Sequence, residues 1–282
     1  MERQQGRKIW EHNYFVPLLI ATAILAVLLV LLIVLPGKDE PLPTLSEGTG
    51  TTDTESLPET KPDEKNKPTV PAVSFRADLS AYEDAMNPKN CEEYLILVNK
   101  THPVDENMRP DDLVSVLDAR KSIELRADAE RALEAMFLEM RAEGFRGIYV
   151  TSAYRSYSYQ SSLFSYYMSV EKNADRSLSD AEAREKVLRY SAAPGTSEHQ
   201  TGLCVDLMID PMRELDESFA DYPVYAWLCE NAWKFGFILR FPADKVETTG
   251  YDYEPWHYRF VGREVAYEIY SRKLCLEEYL AK

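Results

Sequence analysis

Two kinds of hydrophobic pattern divide the chain. From Tyr14 to Leu35 nearly every residue is apolar, running through Leu18-Leu19-Ile20 to Leu31-Leu32-Ile33-Val34-Leu35. A run of about twenty uncharged residues at 1.5 Å rise spans a bilayer core of roughly 30 Å. A cleaved leader would have a shorter apolar stretch, about 7–15 residues, and a small-residue cut site. Leu35-Pro36-Gly37-Lys38-Asp39 offers no such site, so the pattern predicts a single transmembrane signal anchor over residues 14–35. Arg3, Arg7 and Lys8 precede it, which places residues 1–13 in the cytoplasm and the rest outside, at the cell membrane. Residues 36–74 then shift to Pro, Thr, Glu, Asp, Lys and Gly with almost nothing to bury. Such a segment cannot offset its ordering entropy and is expected to be a disordered extracytoplasmic linker, with a coil-like reach of some 35 Å.

Residues 75–282 carry the periodicities of one globular domain with a sizeable core, and no internal repeat. Glu93-Tyr94-Leu95-Ile96-Leu97-Val98-Asn99-Lys100 reads as a short buried strand, followed by a loop in which His102 is an ordinary residue. Leu125, Ala129, Ala132, Met136 and Met140 recur at helical spacing, predicting a helix over Ile123 to Glu143 with Gly144 as its cap. Arg146 to Ser152 reads as a strand that runs through Ala153-Tyr154-Arg155-Ser156 into a helix rich in Tyr and Ser. Ser179-Asp180-Ala181-Glu182 is a capping box that starts a helix ending near Tyr190. Leu203 to Met208 predicts a strand with Gly202, Cys204 and Asp206 on one face. A helix over Tyr222 to Phe235, strands over Phe237–Phe241 and Tyr253–Phe260, and a closing helix from Arg263 to Tyr279 complete the pattern. The expected fold is α+β: a small, mainly antiparallel sheet with packed helices, the site at the sheet face.

The formal net charge of −15 lies mostly in the part read as extracytoplasmic. Such a surface repels polyanions, which argues against nucleic-acid binding. Cys91, Cys204, Cys229 and Cys275 sit singly, without C-x-x-C spacing, and no disulfide pairing is assigned.

The chemistry concentrates in Ser197-Glu198-His199-Gln200-Thr201-Gly202-Leu203-Cys204-Val205-Asp206 and Glu254-Pro255-Trp256-His257. His199, Asp206 and His257 are an N/N/O set that suits Zn²⁺ and leaves a fourth position for water. Glu254, three residues before the last of these, could serve as general base. Each residue alone has an ordinary reading: a loop histidine, a cap, a satisfied core imidazole. Glu254 and His257 are also an odd number apart, which in a regular strand puts them on opposite faces; Pro255 marks a kink that would bring them together. Arg155 at a strand end could clamp a carboxylate or an oxyanion, or simply pair with an acid. The Cys204 thiol could reach a metal, but a small residue packing beneath the site is the favoured reading.

Taken together, these blocks resemble the VanY-type zinc D-alanyl-D-alanine carboxypeptidases. The residues that carry the resemblance are Pro194-Gly195-Thr196-Ser197-Glu198-His199-Gln200-Thr201-Gly202, Val205-Asp206, Tyr154-Arg155-Ser156 with Gln160, and Glu254-Pro255-Trp256-His257-Tyr258-Arg259. They occur in the family's order over roughly the last two hundred residues. The resemblance implies zinc held by His199, Asp206 and His257, with Glu254 and Arg155 catalytic. It also implies Arg155, Gln160 and Ser197 as substrate contacts and a peptidoglycan stem peptide as substrate. The implied activity is release of a C-terminal D-alanine. Within the same family stand L,D-carboxypeptidases, dipeptidases and endopeptidases; a catalytically silent, zinc-bearing wall sensor is the reading from another class.

Overall fold

The computed structural model describes residues 68–281. The expected anchor at 14–35, the segment before it and most of the expected linker lie outside the described residues. Among the described residues, no helix is long and apolar enough to cross a membrane. Packing begins a little before Phe75, because Val70 and Val73 rest on an apolar cluster formed by Trp233, Ile238, Val265 and Ile269.

After short helical turns, among them Glu83–Met86, the chain forms a hairpin of β1 (Leu113–Ser115) and β2 (Glu124–Arg126), paired antiparallel. Helix α1 (Ala127–Ala142) follows directly, so the stripe expected over one long helix is shared by a strand and a helix. Leu125, Ala129, Ala132, Leu133, Met136 and Met140 are all buried in the main core. Each large apolar side chain there contributes roughly 1.5–3 kcal/mol by leaving water, which fixes α1 against the sheet. Next come β3 (Ile148–Ser152), α2 (Tyr157–Ala174) and α3 (Asp180–Tyr190). The capping box is formed: Ser179 Oγ accepts from the Glu182 amide while Glu182 reaches back to the Ser179 amide.

After β4 (Cys204–Ile209), α4 (Pro223–Asn231) and β5 (Phe237–Leu239), the chain forms β6 (His257–Phe260), α5 (Arg263–Arg272) and α6 (Leu276–Leu280). The sheet is four-stranded and antiparallel, in the order β3-β4-β6-β5. This is the expected α+β architecture, with further local departures. Glu93–Lys100 forms no strand: it opens with a 3₁₀ turn over Glu92–Tyr94, and the Tyr94 and Ile96 carbonyls accept from Arg259 Nη2 at 2.8 and 2.9 Å rather than from a neighbouring strand. The closing helix is two helices, broken at Lys273, whose φ of 53° ends α5 in the left-handed region. The strand expected over Tyr253–Phe260 begins only at His257.

Candidate metal centre

Strand register builds the first half of the site. Asp206 on β4 stands opposite His257 on β6 and opposite Ser152 on β3, across an irregularity between Val150 and Ser152. Directly opposed residues on one sheet face hold their side chains within about 5 Å, so one row across three strands carries Ser152, Asp206 and His257. The turn before β4 supplies the second half. His199 lies in a 3₁₀ turn over Glu198–Thr201 that ends at Gly202 with φ 64°. A Cβ on Gly202 would meet Leu113 Cδ2 at 2.9 Å and Arg126 Cγ at 3.2 Å, so this tight, left-handed exit into β4 requires glycine.

The His199 ring has its Nδ1 2.6 Å from the Ala153 carbonyl oxygen. A carbonyl only accepts, so Nδ1 carries the proton and the Nε2 lone pair is left for another partner. That Nε2 stands 3.2 Å from Asp206 Oδ2, and His257 Nδ1 stands 3.1 Å from Asp206 Oδ1. Glu254 Oε2 is 3.3 Å from the same His257 nitrogen. The kink expected at Pro255 is present as a turn closed by the His257 amide donating to the Glu254 carbonyl at 3.2 Å; this is what puts the two side chains on one side.

Three buried groups and the partly exposed Glu254 thus converge, and their alignment is not that of hydrogen bonds: among the described residues Asp206 Oδ1 has no hydrogen-bond partner although an imidazole nitrogen lies so close. Lone pairs facing one another around a common point are what a shared cation requires, and two imidazoles with a carboxylate fit Zn²⁺. The electrostatics agree. Burial would raise the Asp206 carboxyl, but His199 and His257 outweigh it and hold it well below its ordinary value. Burial would lower His257; facing Cys204, Asp206 and Glu198 it is instead raised well above its ordinary value. The site therefore demands positive charge.

A cleft of about 360 Å³ opens onto these groups, lined by His199, Asp206, His257, Glu254, Arg155 and Ser197 among others. Such a volume is at the lower end of the ~300–1,000 Å³ typical of small-ligand sites. Trp256, Phe241 and Tyr251 wall it on the β6 side, and Leu163, Tyr167 and Tyr190 on the α2–α3 side. Trp256 also packs against the main core, so it serves cleft and core together. Arg155 is held by its Nη1 donating to Ser152 Oγ at 2.8 Å and its Nε donating to Gln160 Oε1 at 3.0 Å, and Nη1 lies 3.5 Å from Asp206 Oδ2.

Gln160, which the resemblance implies as a substrate contact, sits behind Arg155 in the structure. It is buried, does not line the cleft, and its amide donates to the Ala192 carbonyl at 2.7 Å. Both ends of the side chain are used, one to fix Arg155 and one to tie α2 to the loop after α3. Cys204 is fully buried beneath the imidazoles, as a packing residue would be, yet its Sγ and the ligand nitrogens of His199 and His257 all lie within 4.8 Å of one another. Burial would raise this thiol, but the two histidines bring it down to about 7. It does not line the cleft, so the His199–Asp206–His257 set, which does, keeps the open side.

Sequence reasoning assigned no role to Glu198, which is buried between Arg240 and Arg259. Its position next to His199 was the only signal, since its partners are 42 and 61 residues away.

The comparisons with known proteins come down on one family. The model of the VanY D-alanyl-D-alanine carboxypeptidase family matches residues 122–263. A D-alanyl-D-alanine carboxypeptidase of Enterococcus faecalis (strain ATCC 700802 / V583) is 40% identical over 189 residues, 66% of this chain and 65% of that one. A solved vancomycin-resistance D,D-pentapeptidase VanY from a VanB-type cassette, in complex with Zn(II), is 36% identical with a TM-score of 0.57, covering 67% of this chain and 99% of that one. The solved LD-carboxypeptidase LdcB is likewise 36% identical, with a TM-score of 0.60, covering 69% of this chain and 88% of that one.

Proposed function

The chain belongs to the VanY family of D-alanyl-D-alanine carboxypeptidases, and from that membership we propose that His199, Asp206 and His257 hold its zinc while Glu254 moves the proton. It is a zinc-dependent carboxypeptidase, a hydrolase whose substrate is a peptidoglycan peptide ending in D-Ala-D-Ala. The observation that carries the residue assignment is the placement of Glu254 Oε2 3.3 Å from a nitrogen that is itself 3.1 Å from Asp206, at the floor of an open cleft.

Zinc bound there supplies Lewis acidity, polarising a carbonyl and making water a better proton donor near neutral pH. The chain's own groups do the rest. Glu254, 13% exposed in its side chain, takes a proton from the attacking water at a carboxylate oxygen and returns it to the departing D-alanine nitrogen. Arg155, fixed at two of its nitrogens, presents a guanidinium toward the carbonyl oxygen on which negative charge develops. Ser197, buried at the cleft wall beside His199, offers a hydroxyl to the substrate's terminal carboxylate. Gln160 acts through Arg155.

The test is to incubate the zinc-loaded protein with tetrapeptide and pentapeptide stem substrates and measure free D-alanine. Release from the pentapeptide that disappears in Glu254→Ala, with zinc still bound, is the expected result. Release that persists in that variant removes Glu254 from the chemistry. The tetrapeptide arm addresses L,D-specificity, which the likeness to LdcB keeps in view. A silent sensor has no need of a base, and the approach of Glu254 to His257 favours the enzyme. We also propose that residues 14–35 anchor the enzyme to the cell membrane with the catalytic domain outside, on the strength of their apolar run; fractionation of cells expressing the full chain and a chain lacking residues 1–35 tests it.

A further inference from the structure

His199 and His257 differ in how the second ring nitrogen is treated. For His199 the Ala153 carbonyl fixes the proton on Nδ1. For His257 the nitrogen facing Asp206 and Glu254 is Nδ1, so the proton must be kept on Nε2. What faces Nε2 is Glu198 Oε2, 3.7 Å away, just beyond hydrogen-bond length. Both atoms are buried and, among the described residues, neither has a hydrogen-bond partner.

The rest of the Glu198 carboxylate cannot turn away. Its Oε1 accepts from Arg240 Nε at 2.8 Å and from Arg259 Nη1 at 2.9 Å, and both arginines are fully buried. Arg240 forks with its other two nitrogens onto Glu277 of α6, at 2.8 and 2.6 Å. Arg259 is held by the Tyr94 and Ile96 carbonyls already described. Two guanidiniums on one oxygen leave the second oxygen anionic, fixed and aimed at the imidazole. Burying so much charge is costly unless every member is paired, and the one unfulfilled valence in this cluster points at a metal-ligand histidine.

We propose that Glu198 is a positioning residue: it accepts the His257 Nε2 proton and so presents the Nδ1 lone pair to the zinc, with Arg240, Arg259 and Glu277 holding it in place. The proposal rests on the reading that His257 is a zinc ligand. It makes the last helix of the chain, α6, part of the support of the metal centre although it touches no ligand. Carboxylates or carbonyls in this role generally change metal affinity about 10–100-fold when removed.

The test uses the full chain loaded with zinc and labelled with ¹⁵N histidine, read by long-range proton–nitrogen spectra of the side chain. The expected spectrum has Nε2 of His257 protonated and Nδ1 shifted by metal. A spectrum with Nε2 metal-bound and Nδ1 protonated overturns the proposal and leaves His257 a ligand. A His257 ring that does not respond to zinc overturns both. Zinc affinity, by competition with a chromophoric chelator, is the second readout. Glu198→Gln should weaken it about 10–100-fold, and Glu277→Gln, which touches neither His257 nor Glu198, by several-fold. Cys204→Ala should leave the His257 tautomer unchanged, which separates Glu198 from the nearby thiol. Should Glu198→Gln fail to fold, the wild-type spectrum and Glu277→Gln still decide; affinities within about twofold of wild type in Glu277→Gln and in any folded Glu198 variant contradict the proposal.

Discussion

Removing the Gln160 side chain separates two accounts of the cleft. In Gln160→Ala the Ala192 carbonyl loses the donor 2.7 Å from it and Arg155 Nε loses its acceptor at 3.0 Å. A buried group left without its partner costs about 1–3 kcal/mol, and one of the two here is charged. The Ala192 side is nearly closed to solvent. The Arg155 side is partly open and can recruit water, so it costs less. A loss of roughly 2–4 kcal/mol of unfolding free energy follows, read as a fall in the denaturation midpoint at unchanged slope. Arg155 keeps its bond to Ser152 Oγ and its ion pair with Asp206 but is held on one side of the guanidinium alone; if half of a charged hydrogen bond's ~1.5–3 kcal/mol is lost in the transition state, kcat falls about three- to tenfold. KM should move less than kcat, because Gln160 is buried and does not line the cleft. Gln160→Glu, which can still accept from Arg155, should recover most of the activity and little of the stability. Wild-type stability in Gln160→Ala together with a selective rise in KM would refute this reasoning and return Gln160 to the substrate.

Other consequences follow from named contacts. Gly202→Ala forces a Cβ to within 2.9 Å of Leu113 at a left-handed φ; a destabilisation of about 1–3 kcal/mol, seen by thermal or denaturant unfolding, is expected, with zinc affinity lowered in parallel because the turn carries His199. Cys204→Ala should retain turnover within a few-fold and lose little stability, whereas loss of zinc binding in that variant would make the thiol a ligand; atomic absorption after dialysis measures it. The Glu277 carboxyl is held below its ordinary value because Arg240 overrides the effect of burial. Its contribution to stability is therefore full above the unfolded carboxylate value of about 4.3 and lost as pH falls through the lower folded value. The wild-type midpoint should drop across that acid range, and Glu277→Gln should flatten this part of the profile. Zinc at a thousandfold excess over its dissociation constant should add about 4 kcal/mol of stability, removed by chelator and absent in His199→Ala.

Much of the site was legible because it is built from short-range rules. The capping box at Ser179, the glycine exit at Gly202 and the alternation along β4 each act over a few residues. The Pro255 kink was visible as a conflict between spacing and strand geometry, and the turn at Glu254–His257 resolves it. What stayed hidden depends on partners distant in sequence. Glu93–Lys100 has the composition of a strand, but its carbonyls are taken by Arg259, 165 and 163 residues from the two acceptors, so no ladder forms. Gln160 carries the residue type of a substrate contact, and only Ala192 and Arg155 show where its two ends go. Glu198 is enclosed by two buried arginines that lie far from it in the sequence, so nothing local beyond its place beside His199 signals its role.

Which atoms hold the zinc decides the chemistry, and X-ray absorption at the zinc edge of the loaded protein addresses that directly. A first shell of nitrogen and oxygen donors alone at about 2.0–2.2 Å, with the outer-shell signature of two imidazoles, is the expected result. A sulfur scatterer at about 2.3 Å would put Cys204 on the metal, fill the position that water must occupy, and contradict the assignment of His199, Asp206 and His257 as an open catalytic site.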